Sequence, residues 1–393
     1  MNPLVTVLIC LIVMYVLSEA LRRFSVPRVV SQIASGMILG LPFISAYLFN
    51  IESAALIKFL SDVGVILLLF FVGLKISFKQ FKKNIASSAW ISFFNTSIPL
   101  IFGYLVSRFL FSLDNGTSLI VGICMSVSAT AIALDLLEEF NKLRTKIGTI
   151  VASAGTFDDV VEVFLITGVL AFLETTIKRT TFSQLIFGVI LFAVIVMLFR
   201  LWIIPFIIKR IEGQPEHAQL FTGALIITLV MAILADYLGV GALIGAILSG
   251  VVVRQILFKE PGHYLWERTE ITRSIHTIAF GFLVPFFFFF IGFQTNVLAI
   301  WENIGFNVII TILAIAGTVF GSALGYHMVY PKWREGWIVG WAMNAKGDTG
   351  LVIAQLALAA GVISQSIFSS LIFMAVVSTL ISPFVLKPLL QKT

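Results

Sequence analysis

Two adjacent carboxylates, Asp158 and Asp159, lie in the middle of an apolar run that extends from about residue 147 to residue 172. A helix crosses a bilayer with about 20 residues, so this run is long enough to span one. A charged side chain at that depth is costly and usually serves a function. Neighbours on a helix point about 100° apart, so one partner cannot satisfy both acids. A structural hydrogen bond explains one buried acid, whereas the pair predicts a site that exchanges protons and a small cation.

Other oxygen-bearing side chains on the same run extend this candidate site. Ser153 and Thr156 are possible secondary ligands, since hard cations take oxygen ligands. Close helix packing is the role that we favour for each of these hydroxyls taken singly. Glu162 lies one helical turn beyond the pair, where it either extends the ion path or lines a solvated funnel that leads to the site. We favour the solvated funnel for Glu162.

Two further apolar spans carry polar residues and are candidates for interrupted helices. Residues 117–138 are crowded with small and hydroxyl side chains, which include Ser126, Ser128 and Thr130. Ser128 is a further possible ligand, although close packing through small residues explains this composition equally well. Residues 336–359 place Lys346 and Asp348 beside two glycines. Charge beside glycine at membrane depth indicates a broken helix, whose freed ends carry partial charges that Lys346 and Asp348 neutralise.

The composition is that of a polytopic membrane protein. Of the 393 residues, 59% are hydrophobic and 12% are charged, whereas soluble proteins carry about 25% charged residues. Cys10 and Cys124 lie inside apolar runs, which argues against a disulfide framework. The four histidines are scattered without metal-ligand spacing, and we expect no cofactor. The net charge of +6 comes from loop residues that report topology, so we expect no nucleic-acid partner.

About thirteen spans are expected from the length criterion. They lie at 3–21, 28–49, 55–74, 86–108, 117–138, 147–172, 183–208, 217–236, 239–256, 274–293, 304–328, 336–359 and 366–387. Lysine and arginine collect after the first, third and fifth spans, and the positive-inside rule makes that side cytoplasmic. The N-terminus is therefore expected outside and the C-terminus in the cytoplasm. The first span is expected to be retained, because no small-residue cleavage site precedes Arg22.

The order of the spans indicates two related halves. Each interrupted candidate follows one helix and precedes another, and the two candidates are offset by seven spans. An odd offset inverts the second copy in the membrane. Interrupted segments in corresponding positions of two halves are typical of a secondary transporter whose site lies near the bilayer midplane.

Several stretches match one known family and follow its order along nearly the whole chain. They are DVGVILLLFFVGL at 62–74, SATAIAL at 128–134, TFDD at 156–159, GALIGAILSG at 241–250, PFFFFFIG at 285–292 and KGDTGLVIA at 346–354. Each stretch alone is a weak signal, but together they are specific. The chain resembles the monovalent cation:proton antiporter family, in particular its bacterial NapA-like and spore-germination GerN-like members.

The resemblance implies an all-α membrane protein of about 13 transmembrane helices, with inverted repeats and two crossed discontinuous helices as in the NhaA/NapA-like antiporter fold. A dimerisation domain would comprise 1–80 and 215–300, a core domain 84–175 and 302–393, and a linker helix 181–212. The resemblance further implies a homodimer in the bacterial cytoplasmic membrane that moves its core domain in an elevator mechanism. Its transported ions would be H⁺ and Na⁺, or Li⁺ or K⁺ in place of Na⁺.

The family motifs also imply roles for single residues. Asp159 matches the principal ion-binding and proton-carrying aspartate, and Asp158 matches its partner. Thr130 stands where the first broken helix supplies a ligand, so Na⁺ would bind at these three residues. Lys346 and Asp348 match the charged pair at the second break, where the family more often has arginine and glutamate.

Thr318 occupies the position at which electrogenic members of the family carry a lysine paired with the first aspartate. Threonine cannot carry that charge, although it can hydrogen-bond Asp158. We therefore expect electroneutral exchange of one proton for each cation. The counter-interpretation is that both aspartates release a proton, which would make exchange electrogenic.

Other function classes are compatible with parts of this pattern. A K⁺/H⁺ or Na⁺/H⁺-K⁺ antiporter differs only in ion selectivity, which cavity size and ligand number determine. A cation channel would expose a continuous ring of acids or carbonyls, whereas the polar residues here gather at one locus. An ion-coupled organic-anion symporter would place more cationic or aromatic groups near the break. A membrane enzyme or sensor needs a nucleophile, a metal cluster or a cofactor motif, so we expect a protein that is not an enzyme.

Overall fold

The computed structural model describes residues 2–24, 26–75, 85–139, 142–143, 145–177, 182–199, 201, 217–257, 276–277 and 279–391. These residues form helices and the segments that join them. The second part of the predicted linker helix, 202–212, lies outside the described residues, as does the basic segment 76–84.

The helices range from short connecting pieces to segments of membrane-spanning length. The first nine are α1 (Pro3–Arg22), α2 (Arg28–Leu39), α3 (Pro42–Leu48), α4 (Ile51–Lys75), α5 (Ile85–Leu105), α6 (Asn115–Ser126), α7 (Thr130–Glu139), α8 (Lys146–Ile177) and α9 (Phe182–Leu198). They are followed by α10 (His217–Tyr237), α11 (Ala242–Leu257), α12 (Val284–Gln294), α13 (Val297–Glu302), α14 (Ile304–Val329), α15 (Trp333–Ala342), α16 (Asp348–Ala359) and α17 (Gln365–Gln391). A π-helical turn extends α5 at Val106–Leu110, and another precedes α12 at Ala279–Leu283.

Among the described helices, five are long and apolar enough to cross a membrane. They are α1, α4, α5 with its π-helical extension, α14 and α17. A sixth span results if α2 and α3, which bend by 83° at a short break, are counted together. Shorter apolar helices of 10–17 residues fall within α6, α10, α11 and α16, and another is formed by α12 together with the π-helical turn that precedes it. The all-helical, apolar character agrees with the expectation, and the number of about thirteen spans stays a prediction.

The chain divides into two compact units. One comprises Met1–Ile57, Ser77–Ile166 and Phe288–Thr393, and the other comprises Lys58–Ile76 and Thr167–Phe287. Within the second unit, α4 and α11 approach so closely that a Cβ added to Gly250 would lie 2.1 Å from the carbonyl oxygen of Phe70. The candidate site residues all lie in the first unit. The domain bounds expected from the family resemblance stay a prediction.

Within the first unit, α5 and α14 pack along a stripe of glycines. Gly317, Gly321 and Gly325 recur every four residues on α14, and each faces α5. A Cβ at Gly321 would lie 2.4 Å from the carbonyl oxygen of Phe94, and one at Gly325 would lie 2.5 Å from that of Trp90. Because a four-residue spacing keeps the glycines on one face, the two backbones approach more closely than larger side chains allow.

Both predicted interruptions fall inside the predicted spans. The first separates α6 from α7 at residues 127–129, and the second separates α15 from α16 at residues 343–347. In each series a whole helix, α5 or α14, precedes the interrupted pair, and another whole helix, α8 or α17, follows it. The repeated order matches the order predicted from the sequence. The inverted relation of the two series stays a prediction.

Candidate functional site

The two helix breaks touch each other through their backbones. The N–H of Ala129 donates a hydrogen bond of 2.6 Å to the carbonyl oxygen of Ala345. A Cβ added to Gly347 would lie 2.2 Å from the Cβ of Ala129. Each break therefore supplies a backbone partner to the other, and the contact depends on the absence of a side chain at Gly347. Free helix ends and their partial charges are concentrated at this crossing.

Polar side chains of α17 hold the second break. Thr379 Oγ1 accepts a hydrogen bond of 3.1 Å from the N–H of Lys346 and donates one to the carbonyl oxygen of the same residue. Asn344 Nδ2 donates to Ser382 Oγ at 3.0 Å, and Ser378 Oγ donates to the Asn344 carbonyl oxygen at 3.0 Å. Three of these four bonds satisfy backbone N–H or carbonyl groups of the break, and such pairing is how irregular backbone is tolerated inside a membrane protein.

Asp158 is enclosed by donors from α5. Asp158 is only 2% exposed. Its two carboxylate oxygens accept hydrogen bonds of 2.5 Å from Ser92 Oγ and 2.6 Å from Asn95 Nδ2. Asn95 Nδ2 also donates to Ser128 Oγ at 3.0 Å, while its Oδ1 accepts from Ser322 Oγ at 2.9 Å. Asn95 thus links α5, the first break, α8 and α14 at a single point.

Sequence reasoning missed Ser92 and Asn95. A signal for them exists, because Ser88, Ser92 and Asn95 recur at a spacing of four and three residues and so form one polar stripe on the otherwise apolar α5. All three residues are buried. The direction of that stripe depends on the packing of α5 against α14 and α8, which composition alone does not give.

The two members of the carboxylate pair have different surroundings. Asp158 is buried among its donors, whereas Asp159 is partly exposed. The difference follows from their positions on α8, since consecutive residues of a helix point in directions about 100° apart. One acid is therefore fixed in the packed interior, and part of the surface of its neighbour is accessible.

Glu162 contradicts the preferred sequence interpretation, which placed it in a solvated funnel. It is 6% exposed, and its Oε1 accepts a hydrogen bond of 2.9 Å from the N–H of Ser128 in the first break. The interpretation was wrong because α8 turns this residue toward the interrupted helix, where an unpaired backbone N–H attracts a carboxylate. Asp158 and Glu162 are therefore both buried, and they lie on the same helix as Asp159.

The side chain of Lys346 reaches Thr318, the position at which the family resemblance places a lysine in electrogenic members. It is 3% exposed, and its Nζ donates a hydrogen bond of 2.7 Å to Thr318 Oγ1. A threonine at this position could bond Asp158, but the bond that the described residues show for the Thr318 hydroxyl is the one it accepts from Lys346 Nζ. The amino group of a lysine therefore lies beside residue 318, although the residue itself is threonine.

The remaining predicted site residues lie at the starts of α16 and α7 and along α8. Asp348 is the first residue of α16, where a carboxylate is favoured by the positive end of the helix dipole. Thr130 is the first residue of α7, and its side chain is not among those described. Ser153 and Thr156 donate to the carbonyl oxygens of Thr149 at 2.9 Å and Ala152 at 3.0 Å, so both hydroxyls bond the backbone of α8. Their role as secondary ligands stays a prediction.

The arrangement combines acids, an ammonium group and amide and hydroxyl groups at one buried locus. Carboxylate, hydroxyl and backbone carbonyl oxygens are the ligands that hard cations prefer. Carboxylates that are withdrawn from water and crowded together also favour bound protons. The same oxygens can therefore hold either a cation or protons, and binding of one opposes binding of the other.

Comparison with known proteins agrees with this chemistry. The family described as "Sodium/hydrogen exchanger, transmembrane" matches residues 5–392. The chain belongs to this family. The resemblance to monovalent cation:proton antiporters that was inferred from the motifs is confirmed, and the protein is a member of a family of membrane transporters.

Relatives of the sodium/hydrogen exchanger chain align along nearly its whole length. A Na⁺/H⁺ antiporter of Enterococcus hirae is 27% identical over 376 residues, covering 95% of this chain and 94% of the relative. The Na⁺/H⁺-K⁺ antiporter GerN of Bacillus cereus is 27% identical over 365 residues, covering 93% and 90%. The solved structure of the sodium proton antiporter MjNhaP1 of Methanocaldococcus jannaschii has a TM-score of 0.63 at 13% identity and covers 97% of this chain and 95% of its own. That likeness shows the fold.

Proposed function

We propose that this protein exchanges Na⁺ for H⁺ across the bacterial cytoplasmic membrane, with Asp158 and Asp159 as the shared seat of the ions. The observation that carries the proposal is the burial of Asp158 and Glu162 on α8. Glu162 binds the first helix break, and that break is in backbone contact with the second. The names of the two relatives, a Na⁺/H⁺ antiporter and a Na⁺/H⁺-K⁺ antiporter, support the same activity.

The two aspartates take different parts in the exchange. Asp159 is partly exposed and is the group that an arriving cation or proton meets. Asp158, bound by Ser92 and Asn95, supplies a second negative charge beside it. Thr130 at the start of α7 supplies a further ligand. An empty site with both aspartates ionised is costly to move through a dry barrier, so movement follows occupancy by Na⁺ or by protons.

The charges of the site support an electroneutral cycle. Lys346 and Glu162 keep the same charge states in both loaded forms of this cycle and therefore do not enter its charge balance. Asp158 and Asp159 then require two positive charges, supplied either by two protons or by one Na⁺ and one proton. The two loaded forms differ by one Na⁺ for one H⁺. Thr318 contributes because its hydroxyl accepts the hydrogen bond from Lys346 Nζ and carries no charge of its own. A lysine at position 318 would add a second amino group that could release a proton.

The wider mechanism follows the family resemblance. A core domain of 84–175 and 302–393 moves relative to a dimerisation domain of 1–80 and 215–300 in an elevator mechanism, within a homodimer. The N-terminus lies outside and the C-terminus in the cytoplasm, because basic residues collect on one side. Li⁺ or K⁺ is the alternative cargo, and the relative that is named a Na⁺/H⁺-K⁺ antiporter supports a test of K⁺.

The test is cation-driven proton movement in liposomes that contain the purified protein and an internal pH dye. External Na⁺ is expected to raise the internal pH, because each entering cation drives a proton out. Li⁺ and K⁺ are added in parallel series, and choline serves as the inert control. Equal responses to Na⁺ and choline, or no response to any cation, would contradict the proposed exchange. A pH change that appears only when the voltage is driven would favour a channel.

Electroneutrality is measured separately with a voltage-sensitive oxonol dye in the same liposomes. We expect the Na⁺ pulse to change the internal pH without building a membrane potential, because one charge leaves for each charge that enters. A valinomycin-induced K⁺ diffusion potential, imposed in protein-free liposomes, verifies that the dye responds. A potential that grows with transport and depends on the Na⁺ gradient would refute one-for-one exchange.

A further inference from the structure

Glu162 is joined to Asp158 by a closed chain of hydrogen bonds. Glu162 Oε1 accepts from the Ser128 N–H at 2.9 Å. The Ser128 hydroxyl oxygen accepts from Asn95 Nδ2 at 3.0 Å, and the same Nδ2 donates to Asp158 Oδ2 at 2.6 Å. Asp158 and Glu162 lie one turn apart on α8, so the chain of bonds starts and ends on the same helix. A displacement of the first break therefore acts on both carboxylates.

The second break is held by an equivalent bond from a different chemical group. Thr379 on α17 accepts from the N–H of Lys346, 33 residues earlier, and Glu162 on α8 accepts from the N–H of Ser128, 34 residues earlier. In both series the whole helix that follows the interrupted pair binds a backbone N–H inside the break. The first series uses a carboxylate at this place and the second uses a hydroxyl.

Glu162 differs from Thr379 in the length of its side chain. The carboxylate stands at the end of a longer side chain than a hydroxyl, and it must contact a backbone group on another element. The bond is fully enclosed, so loss of the acceptor leaves a buried N–H without a partner.

We propose that Glu162 is a positioning residue of the ion site. Its carboxylate oxygen fixes the backbone of the first break at Ser128, and through Ser128 and Asn95 it sets the place of Asp158. This role rests on the exchange proposed for Asp158 and Asp159. The role depends on the length of the side chain and on its acceptor oxygen. The negative charge of Glu162 is not what positions the site.

Three substitutions separate reach from charge. Glu162→Gln keeps the length and an acceptor oxygen and removes the charge. Glu162→Asp keeps the charge but is one methylene too short for Ser128, and Glu162→Ala removes both. We expect Glu162→Gln to retain the wild-type KM for Na⁺ within about twofold, and Glu162→Asp and Glu162→Ala to raise it about tenfold, as the loss of a buried bond to a charged group predicts. The maximal rate should change less than KM, because Asp159 is intact.

Glu138 provides a matched control for these variants. It is an exposed glutamate near the end of α7, on the same interrupted helix that Glu162 contacts. Glu138→Gln and Glu138→Asp are expected to leave the KM for Na⁺ unchanged. If Glu162→Ala does not yield folded protein, the comparison of Glu162→Gln with Glu162→Asp decides the question, since each retains a polar side chain.

The opposite pattern overturns the inference. If Glu162→Asp matches the wild type while Glu162→Gln is impaired, the charge of Glu162 is what the site uses. If the folded variants all match the wild type, the bond to Ser128 does not position the site. Absence of cation-driven proton movement in the wild-type protein would instead be a failure of the proposed exchange, and the two failures are therefore distinguishable.

Discussion

Replacement of both Asp158 and Asp159 by asparagine is expected to reduce Na⁺-driven proton movement to the level of protein-free liposomes. Asparagine has nearly the same shape as aspartate, so the packing of α8 should be kept. It can neither bind a proton near neutral pH nor offset the charge of a cation. Without those two charges, a dehydrated Na⁺ at the crossing is left with the full cost of leaving water.

The single variants divide this effect between the two positions. Asp159→Asn alone should abolish exchange, because the proposed exchange assigns ion capture to this partly exposed residue. Asp158→Asn should in addition disturb the bonds from Ser92 and Asn95, since an amide offers one acceptor oxygen where the carboxylate offers two. It should therefore lower thermal stability as well as exchange, whereas Asp159→Asn should lower exchange alone.

The control for loss of a carboxylate is Glu52→Gln. Glu52 is exposed in the first turn of α4, away from the hydrogen bonds described for the site. The internal pH response to Na⁺ should be the same for Glu52→Gln as for the wild type. If the double Asp158→Asn, Asp159→Asn variant still couples Na⁺ to proton movement, the ions bind elsewhere and the proposed seat is wrong.

Sequence reasoning located the parts of the site that conflict with a simple apolar helix. Small and hydroxyl side chains indicated the first break, and charges beside glycines indicated the second. Both interruptions occur within the expected spans. Lys346 and the carboxylate pair were recognised for the same reason, because a buried charge is costly wherever its partners are. These inferences need only the local sequence and the thickness of a membrane.

The side-chain partners that lie on other helices could not be predicted in the same way. A spacing of four residues puts Glu162 on the side of α8 that carries Asp158, but its burial depends on the break at Ser128. Ser92 and Asn95 form a stripe, but the packing of α5 against α8 and α14 is what brings Asp158 and Ser322 to it. Thr318 binds Lys346 because the second break carries that lysine toward α14. Each of these depends on tertiary packing.

Substitution of Gly347 by alanine is expected to disable the crossing, although the change adds a single methyl group. The new Cβ would lie 2.2 Å from the Cβ of Ala129, well inside van der Waals contact. The φ of Gly347 is −134°, outside the left-handed region that favours glycine, and the obstacle to a Cβ there is the contact with Ala129. Separation of the breaks would stretch the bond from Ala129 to Ala345, and overpacking of this kind costs about 1–3 kcal/mol.

Gly350→Ala is the matched control, because the same change three residues later meets its nearest neighbour, the Cys124 carbonyl oxygen, at 3.5 Å. It should preserve exchange and thermal stability, since alanine also suits a helix better than glycine. Gly347→Ala should lose both, and a second change, Ala129→Gly, should restore them by removing the opposing methyl group. If Ala129→Gly fails to rescue Gly347→Ala, or if Gly347→Ala behaves like Gly350→Ala, then close backbone contact between the breaks is not what holds the ion site together.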